Sequence, residues 1–561
     1  MKTAEKLKKI SFAQWVLYLS LFFVGIFHVY LSCVVSIVLL VWLWIYQNKN
    51  RRLTIQVDMT FIAMATLVGG YAITVLWAID AGSAVFGFFK FLPLLLYTLV
   101  LMQEPNGREK IISGLPYLVT LMAILSTICM NIPFLSSFFS VAGRLSGFLQ
   151  YPNSFAMLLL VAELLLITKE RPNIWDYICI SILLYSVLYT GSRTVFVLVV
   201  ISNMVALFFS KNKTVRWIML GSVGAGITLV LLYCLITGHW NVVSRYLTIS
   251  TTQSTFVGRL LYVRDALPVI IKHPFGLGYM GYYFVEQGIQ TGVYSVLFVH
   301  NDLVQILLDV GWIPFIMFVT AVIMSLLNRN MSFRYKLILV TMLLHASFDF
   351  DLQYVAIFML LLLFMAPRPW KIVSIKKRPV ITPTVTAALV CLCLYFGTAQ
   401  ALTRFDLHEA ATKLYNHNTI SDIELIKNTS DSLKAGEIAD RILERNSHIA
   451  VGYSVKSRVA YAQGNFAKVI QYKNKAIEKA PFSHTEYWEY GYMLVNGIKL
   501  YEQAGDKKSA DFCRRELMAL SKALPAQKER LSRYGTMIKD QPILEFPQDL
   551  QDQIRAVKGD G

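Results

Sequence analysis

Five side chains in the middle of the chain could act on a phosphate group and on a proton. The guanidinium group of arginine binds phosphate oxygens through two parallel hydrogen bonds, and several arginines together would hold a diphosphate. Histidine has an unperturbed pKa of about 6.5, which suits removal of a proton from a hydroxyl group. The candidate diphosphate ligands are Arg144, Arg193, Arg259 and Arg264, and the candidate proton acceptor is His300.

The segment from Gly258 to Gly311 is long and polar, and it carries Arg259, Arg264 and His300. Cations facing a membrane surface suit an anionic headgroup, and a histidine among them suits proton transfer. For any single arginine, contact with lipid phosphates or pairing with a nearby aspartate explains the residue about as well as diphosphate binding does. A single histidine at a membrane interface is also more often structural than catalytic.

Two other patterns resemble cofactor or metal motifs, but their surroundings do not fit. Gly276, Gly278 and Gly281 spell G-x-G-x-x-G without a preceding strand, so tight turns explain them better than a dinucleotide site. Asp349 and Asp351 have the spacing of a metal-binding DxD, yet few further carboxylates accompany them. We interpret them as acids in a loop and at a helix start, and we expect neither a metal nor a cofactor.

Composition places these residues in a membrane protein. Of 561 residues, 55% are hydrophobic and only 16% charged, and the mean hydropathy is +0.51, which is too apolar for a soluble globular protein. The net charge of +18 could suggest nucleic acid, but the basic residues lie between apolar runs. We therefore expect membrane lipid as a partner and no nucleic acid.

The apolar runs predict an all-α, polytopic bundle of about 12–13 membrane-spanning helices. The stretch Phe12–Tyr46 is long enough for two spans, broken near Gly25 and His28. Further runs occupy 58–78, 84–102, 111–130, 153–168, 174–190, 194–210, 217–237, 303–327, 336–348, 353–366 and 380–398. The run 336–348 is short for a span, but basic clusters on both sides of 336–366 require the chain to cross twice there.

The distribution of basic residues predicts the orientation. The N-terminal lysines Lys2, Lys6, Lys8 and Lys9 indicate a cytoplasmic N-terminus. Short outside loops hold only Arg144 and Arg193, whereas the alternate connections hold most of the remaining Lys and Arg. These are Lys49, Arg51, Arg52, Arg108, Lys110, Lys169, Arg171, Lys211, Lys213, Arg216, Arg329, Arg334, Lys336, Arg368, Lys371, Lys376, Lys377 and Arg378. Thirteen crossings then place the C-terminus outside the cytoplasm.

Two domains are predicted, a membrane-embedded domain at 1–399 with a large outer loop at 238–302, and a soluble helical domain at 400–561. Within the second, Ser447–Pro481 indicates a helical hairpin with a turn at Gly464 and Asn465. It resembles a tetratricopeptide repeat, and Tyr487–Pro525 is a looser second unit. The alternative is an ordinary α-helical bundle. A repeat domain of this type would favour protein partners.

The outer-face motifs, taken in order, resemble the O-antigen ligase and O-antigen polymerase family over about 140–365. They are GRLSGFLQYPN (Gly143–Asn153), GSRT (Gly191–Thr194), GR (Gly258 and Arg259), HPFGLGYMGYYF (His273–Phe284) and VHNDLVQILLDVGW (Val299–Trp312). The resemblance implies a metal-independent membrane glycosyltransferase with an undecaprenyl-diphosphate-linked glycan as donor. It implies that Arg193 and Arg259 bind the diphosphate and that His300 acts on the acceptor hydroxyl; Arg144 and Arg264 match less closely.

The expected function is therefore glycan transfer at the outer face of the cell membrane, in cell-surface polysaccharide assembly. The acceptor could be a lipid-linked core sugar, another lipid-linked glycan or a protein hydroxyl. A transporter or flippase of lipid-linked glycan is the alternative from another class. In such a protein, charged residues would line a path at mid-membrane. Here the cations gather on one face, and Lys90 is an exception because it lies within a predicted span.

Overall fold

The computed structural model describes residues 10–209, residues 252–559 and isolated positions between 210 and 251. Three predicted features therefore lie outside the described residues: the N-terminal lysines, the basic connection with Lys211, Lys213 and Arg216, and most of the apolar run 217–237 with the start of the outer loop. The described chain is built from helices, with two small two-stranded sheets. The predicted all-α class is confirmed.

The described helices and strands are numbered here in chain order. The helices are α1 (Phe12–Phe22), α2 (Val29–Asn50), α3 (Met59–Ile73), α4 (Ala81–Gln103), α5 (Gly107–Met130), α6 (Pro133–Phe139), α7 (Pro152–Ile167), α8 (Ile174–Thr190), α9 (Arg193–Phe209), α10 (Ser254–Lys272), α11 (Gly281–Ile289), α12 (Asp302–Val310), α13 (Trp312–Leu327), α14 (Phe333–Ala346), α15 (Val355–Leu362), α16 (Ile381–Arg404), α17 (His408–Leu414), α18 (Thr419–Asn428), α19 (Ser432–Arg445), α20 (Ala450–Ala462), α21 (Phe466–Lys479), α22 (His484–Gln503), α23 (Lys507–Ala526) and α24 (Gln548–Gly559). The strands are β1 (Arg52–Val57), β2 (Ser140–Val141), β3 (Arg144–Leu145) and β4 (Lys371–Lys376).

The chain folds into two compact units, each assembled from separate segments. Unit 1 comprises Met1–Ala72, Phe86–Ser250 and His300–Thr398. Unit 2 comprises Ile73–Val85, Thr251–Val299 and Ala399–Gly561. This grouping differs from the division predicted at residue 399, because Thr251–Val299, most of the predicted outer loop, belongs with the C-terminal residues.

Unit 1 is organised around α7, whose side chains are buried on every side except at Asn153. A helix that is buried all round lies in the centre of a bundle, and α5, α8, α9 and α14 pack around it. Pro152 occupies the first turn, where its fixed φ favours a helix start. The central helix therefore begins at a defined place and presents Asn153 and Ser154 there.

Two apolar runs are interrupted by residues with left-handed backbone conformations. The predicted break near Gly25 and His28 is confirmed, since α1 ends at Phe22 and α2 begins at Val29. The run 303–327, predicted as one span, is instead divided at Gly311, whose φ is 78°. Glycine has no Cβ to oppose this conformation, so α12 and α13 are separate helices.

The chain is a membrane protein. Among the residues that the structure describes, five helices are long and apolar enough to cross a bilayer: Val29–Asn50, Met59–Leu76, Ala81–Gln103, Gly107–Met130 and Ile381–Arg404. Shorter apolar helices of 10–17 residues include α1, α7, α8 and α13. The exact number of crossings stays a prediction.

Basic connections that were predicted on one side of the membrane contact one another in unit 1. Strand β1 pairs antiparallel with β4, with Thr54 opposite Ser374. The Gln103 side chain hydrogen-bonds the Thr54 backbone at both its N–H and its carbonyl. Elsewhere the Tyr335 hydroxyl donates to Glu109 at 3.1 Å. One set of contacts thus joins the connections that follow α2, α4 and α15. The other set joins the connections that follow α4 and α13.

Unit 2 has an apolar core between helical hairpins. Phe284 of α11 is buried with Ile438, Ile442 and Val455, which come from α19 and α20. A second cluster joins α21, α22, α23 and α24 through residues such as Tyr487, Leu517 and Leu550.

The two predicted hairpins of the C-terminal residues are present. Helices α20 and α21 are joined at Gly464, and α22 and α23 at Gly505, with φ angles of 70° and 72°. Tetratricopeptide repeats are also helical hairpins, but helical bundles share this feature. The tetratricopeptide assignment therefore stays a prediction.

Candidate functional site

His300 lies beside a buried carboxylate in unit 1. Its Nδ1 is 3.2 Å from Oδ1 of Asp349, whose side chain is fully buried, while the histidine side chain keeps 21% exposure. With Asp349 ionised, its carboxylate only accepts hydrogen bonds, so Nδ1 donates and Nε2 of the neutral ring is the acceptor. This arrangement prepares Nε2 to take a proton.

The local sequence fixes the backbone on both sides of this pair. Asn301 caps α12, and its Oδ1 accepts a hydrogen bond from the Val304 N–H at 3.1 Å. Such caps satisfy amides that the first helical turn leaves unpaired. His300 therefore directly precedes a well-defined helix start. The Phe350 ring meets the histidine ring edge-on at 5.0 Å between centroids, and Tyr151 stacks on Phe350 at 4.7 Å.

Asp349 receives hydrogen bonds from three further groups. The Tyr151 hydroxyl donates to Oδ1 at 2.9 Å, the Asn153 amide donates to Oδ2 at 2.7 Å, and the Phe350 N–H donates to Oδ1 at 3.0 Å. A buried carboxylate is costly unless its oxygens are hydrogen-bonded. These donors keep Asp349 in place beside the histidine.

Arg144 joins the same network through Asn153. Strands β2 and β3 form a tight hairpin that places Arg144 opposite Val141. Its Nη2 donates to Asn153 Oδ1 at 2.8 Å, and its Nε donates to the Thr190 carbonyl at 2.7 Å. The asparagine thus accepts from the arginine and donates to Asp349. Arg144 and His300, both predicted site residues, are brought together by these contacts.

The loop that carries Asp349 is anchored to three helices by buried polar groups. Asp351 accepts a hydrogen bond from Ser154 of α7 at 2.6 Å and contacts His345 of α14. Asp302 at the start of α12 accepts from the Leu352 N–H at 2.7 Å. The two acids of the DxD pattern therefore make separate contacts, Asp349 with His300 and Asp351 with helix anchors.

Arg193 is the first residue of α9, directly after the GS of the GSRT motif. Helix α8 ends at Gly191 in a left-handed conformation, and the chain reverses there into α9. The amino-terminal end of a helix carries partial positive charge and favours phosphate groups. The Thr190 carbonyl that accepts from Arg144 lies three residues before Arg193, so both arginines belong to this corner of unit 1.

Arg259 and Arg264 belong to unit 2, on α10. Arg259 is half-buried, and Arg264 is exposed and donates to the Thr291 hydroxyl at 3.2 Å. Five residues on a helix separate two side chains by about 140° around its axis. These two arginines therefore point to different sides of α10.

Two glycines of the G-x-G-x-x-G pattern, Gly276 and Gly278, lie in tight turns as the sequence predicts, and the third, Gly281, begins α11. Gly276 and Gly278 have φ angles of 85° and 80°. A Cβ on Gly278 would lie 2.6 Å from the Ala78 side chain. Positive φ and a close approach explain these positions.

Sequence reasoning missed Asp349, Tyr151 and Asn153 as parts of the histidine site. Asp349 was interpreted as a loop acid because an Asp-Phe-Asp spacing suggests a metal or a helix start. The contact with His300 spans 49 residues of sequence, so no local pattern indicates it. The sequence feature that could have indicated this pair is an acid and a histidine at the predicted outer ends of two neighbouring spans.

Residues 178–319 match a family model described as O-antigen ligase. This part of the chain is similar to O-antigen ligases. The match includes Arg193, Arg259, Arg264 and His300, and it lies inside the stretch 140–365 over which the motifs resemble this family. The resemblance is thereby confirmed. No curated protein and no solved structure matches the chain.

Proposed function

We propose that the protein transfers a glycan from undecaprenyl diphosphate to an acceptor hydroxyl at the outer face of the cell membrane. The observation that carries this proposal is the His300–Asp349 pair, with Nδ1 and Oδ1 3.2 Å apart, at a histidine inside the region that matches the O-antigen ligase model. A histidine oriented by a buried carboxylate is suited to general-base chemistry.

In the proposed reaction, Nε2 of His300 takes the proton from the acceptor hydroxyl. The acceptor oxygen forms a bond to the anomeric carbon of the glycan, and the bond from that carbon to the diphosphate oxygen breaks. The electron pair leaves with undecaprenyl diphosphate. Attack opposite the leaving group inverts the anomeric centre. No redox step is involved.

Arginines would stabilise the charge that grows on the leaving diphosphate. Arg193 is the best-supported ligand in unit 1, because it combines a guanidinium group with a helix amino terminus. Arg259 is proposed as the ligand from unit 2 by its place in the GR motif. Arg144 donates hydrogen bonds to the Thr190 carbonyl and to the Asn153 side chain. These bonds support a role for Arg144 in positioning Asp349, in addition to any contact of its own with phosphate.

We also propose that the N-terminus is cytoplasmic and that residues 400–561 lie outside the cytoplasm. The contacts among basic connections of unit 1 support a common side for them. The acceptor class stays open between a lipid-linked core sugar, a second lipid-linked glycan and a protein.

A transfer assay tests the function. The purified full-length protein is mixed with labelled undecaprenyl-diphosphate glycan and each candidate acceptor, and released undecaprenyl diphosphate is measured. We expect release that depends on the acceptor and is lost in His300→Ala. If labelled donor instead crosses the membrane of proteoliposomes without release, the protein is a flippase and the proposal is wrong.

A further inference from the structure

Helix α10, which carries Arg259 and Arg264, packs against a segment near the C-terminus. This segment, residues 532–540, is called the C-terminal strap below. In the amino-terminal half of α10, Val257 and Leu261 are buried with Ile538 of the strap and with Tyr294. The strap thus covers the apolar side of the helix, while Arg264 remains exposed and Arg259 half-exposed.

Hydrogen bonds hold the strap at the amino-terminal end and near the middle of α10. At the amino-terminal end, the Ser254 hydroxyl oxygen accepts from the Lys539 N–H at 2.7 Å. Near the middle of the helix, the contact passes through Thr291, whose carbonyl accepts from the Ser532 N–H at 2.9 Å. Thr291 in turn donates to Asp265 of α10 through its N–H at 2.8 Å and its hydroxyl at 2.7 Å. The contacts therefore lie along α10 from Ser254, its first residue, to Asp265.

Two glycines bring the strap and the loop before His300 into backbone contact. A Cβ placed on Gly535 would lie 2.1 Å from the Thr291 carbonyl oxygen, and one on Gly292 would lie 2.7 Å from the Gly535 Cα. Both distances are far below ordinary van der Waals contact, and both opposing atoms belong to backbone. Any side chain at these positions must therefore displace the strap from the loop.

We propose that the C-terminal strap is a positioning element that sets the orientation of α10 and thereby of Arg259 toward the diphosphate. This inference rests on the proposed function for the role of Arg259. It assigns to the C-terminal residues a part in donor binding within the same chain. The physical reason is that a guanidinium group must be held within a fraction of an ångström to keep a bidentate contact, which a helix anchored at three points provides.

The test uses Gly535→Ala in the full-length protein, with Gly436→Ala as the matched control. A Cβ on Gly436 would meet its nearest neighbour at 3.4 Å, an ordinary contact, so this helical glycine in unit 2 tolerates alanine. We expect Gly535→Ala to weaken binding of undecaprenyl diphosphate by about ten- to a hundredfold, since small displacements of binding groups have effects of this size. Hydrogen exchange of α10 amides should become faster.

In the transfer assay, donor KM should rise by a similar factor and kcat should fall as well, because Arg259 both binds the diphosphate and stabilises the charge that grows on it. A variant that is merely unstable would lose active protein and therefore kcat, at unchanged donor KM. A second pair covers the case in which Gly535→Ala fails to accumulate. Ser254→Ala removes the acceptor for the Lys539 N–H and should weaken donor binding, and Ser254→Thr keeps a hydroxyl and should restore it.

Faster exchange in α10 with unchanged affinity for undecaprenyl diphosphate would overturn the positioning role. Unchanged hydrogen exchange of the α10 amides in both Gly535→Ala and Ser254→Ala would mean that the C-terminal strap does not hold α10, and the proposal would be wrong. Failure of the proposed function looks different: the wild-type protein would release no undecaprenyl diphosphate, while the affinity differences among the strap variants would persist.

Discussion

His300 and Asp349 make different contributions if the histidine is the general base, and substitution separates them. His300→Ala should lower turnover by about 10²- to 10⁴-fold with donor affinity nearly intact. Asp349→Asn should cause a smaller loss of turnover, because the His300 ring is still present. Some loss is expected because the asparagine amide can donate as well as accept a hydrogen bond, so it no longer selects the tautomer with the proton on Nδ1. Turnover and donor affinity of both variants, at equal membrane abundance, check this. Normal turnover in His300→Ala would reject the base assignment.

Glu286 of α11 gives unit 2 a pH dependence of its own. Burial raises the pKa of this carboxyl to about 8, although the Val296 N–H and the Gln290 amide hydrogen-bond it. Between its ordinary value of 4.5 and about 8, the folded state keeps a proton that the unfolded chain has lost. The free energy of unfolding therefore falls as pH rises through this window.

Glu286→Gln should remove that pH dependence, since glutamine keeps the acceptor oxygen and carries no charge. Melting temperatures of the purified protein, measured at about pH 5 and about pH 8 across this window, should differ less in the variant than in wild type. Glu444→Gln, on an exposed position of α19, is the control and should behave as wild type. A wild-type melting temperature that rises toward pH 8 while the variant stays level would contradict the argument.

At the residue scale, the sequence predicted which side chains could carry the chemistry better than it predicted which residues they contact. Arg144 and His300 were selected by residue type and by their side of the membrane, and the structure joins them through Asn153 and Asp349. Asp349 itself could not be selected, because its significance comes from a partner 49 residues away. Residue type limits the possible chemistry, whereas the partner decides which of two similar acids is used.

Among the elements, the amino terminus of α9 offers a sharp test of diphosphate binding. Arg193→Lys keeps the charge at the helix start but loses the planar fork, so affinity for undecaprenyl diphosphate should fall by about ten- to a hundredfold if the contact is bidentate. Arg378→Lys, on an exposed connection with basic neighbours, serves as the matched control. Equal affinity in the two variants would mean that Arg193 contributes only charge.

Helix breaks were predictable only where composition marks them. Gly25 and His28 interrupt an apolar stretch that is too long for one span, so two helices were expected there. Gly311 lies in a run of ordinary span length, where glycine is common in membrane helices. Its left-handed backbone depends on how α12 and α13 pack, which an apolar run does not encode.

At the scale of the whole molecule, the sequence predicted the class but not the grouping of segments. Composition was sufficient for a helical membrane protein with a polar C-terminal part. The contacts that group residues 251–299 with that part connect distant positions, such as Ser254 with Lys539, 285 residues apart. No periodicity or composition shift can indicate a contact of this range, since each partner is unremarkable in its own neighbourhood.

The β1–β4 pairing leads to a test of orientation. Strand pairing requires that both connections lie on one side of the membrane, so cysteines replacing Arg52 and Lys376, both exposed, should report the same side. The basic residues around them predict the cytoplasmic side.

In a background with the exposed Cys391 changed to serine, an impermeant thiol reagent should label Glu437→Cys of unit 2 in intact spheroplasts. Arg52→Cys and Lys376→Cys should react only after lysis. Labelling of all three before lysis, or of none, would contradict the proposed orientation, and a difference between Arg52→Cys and Lys376→Cys would contradict the strand pairing.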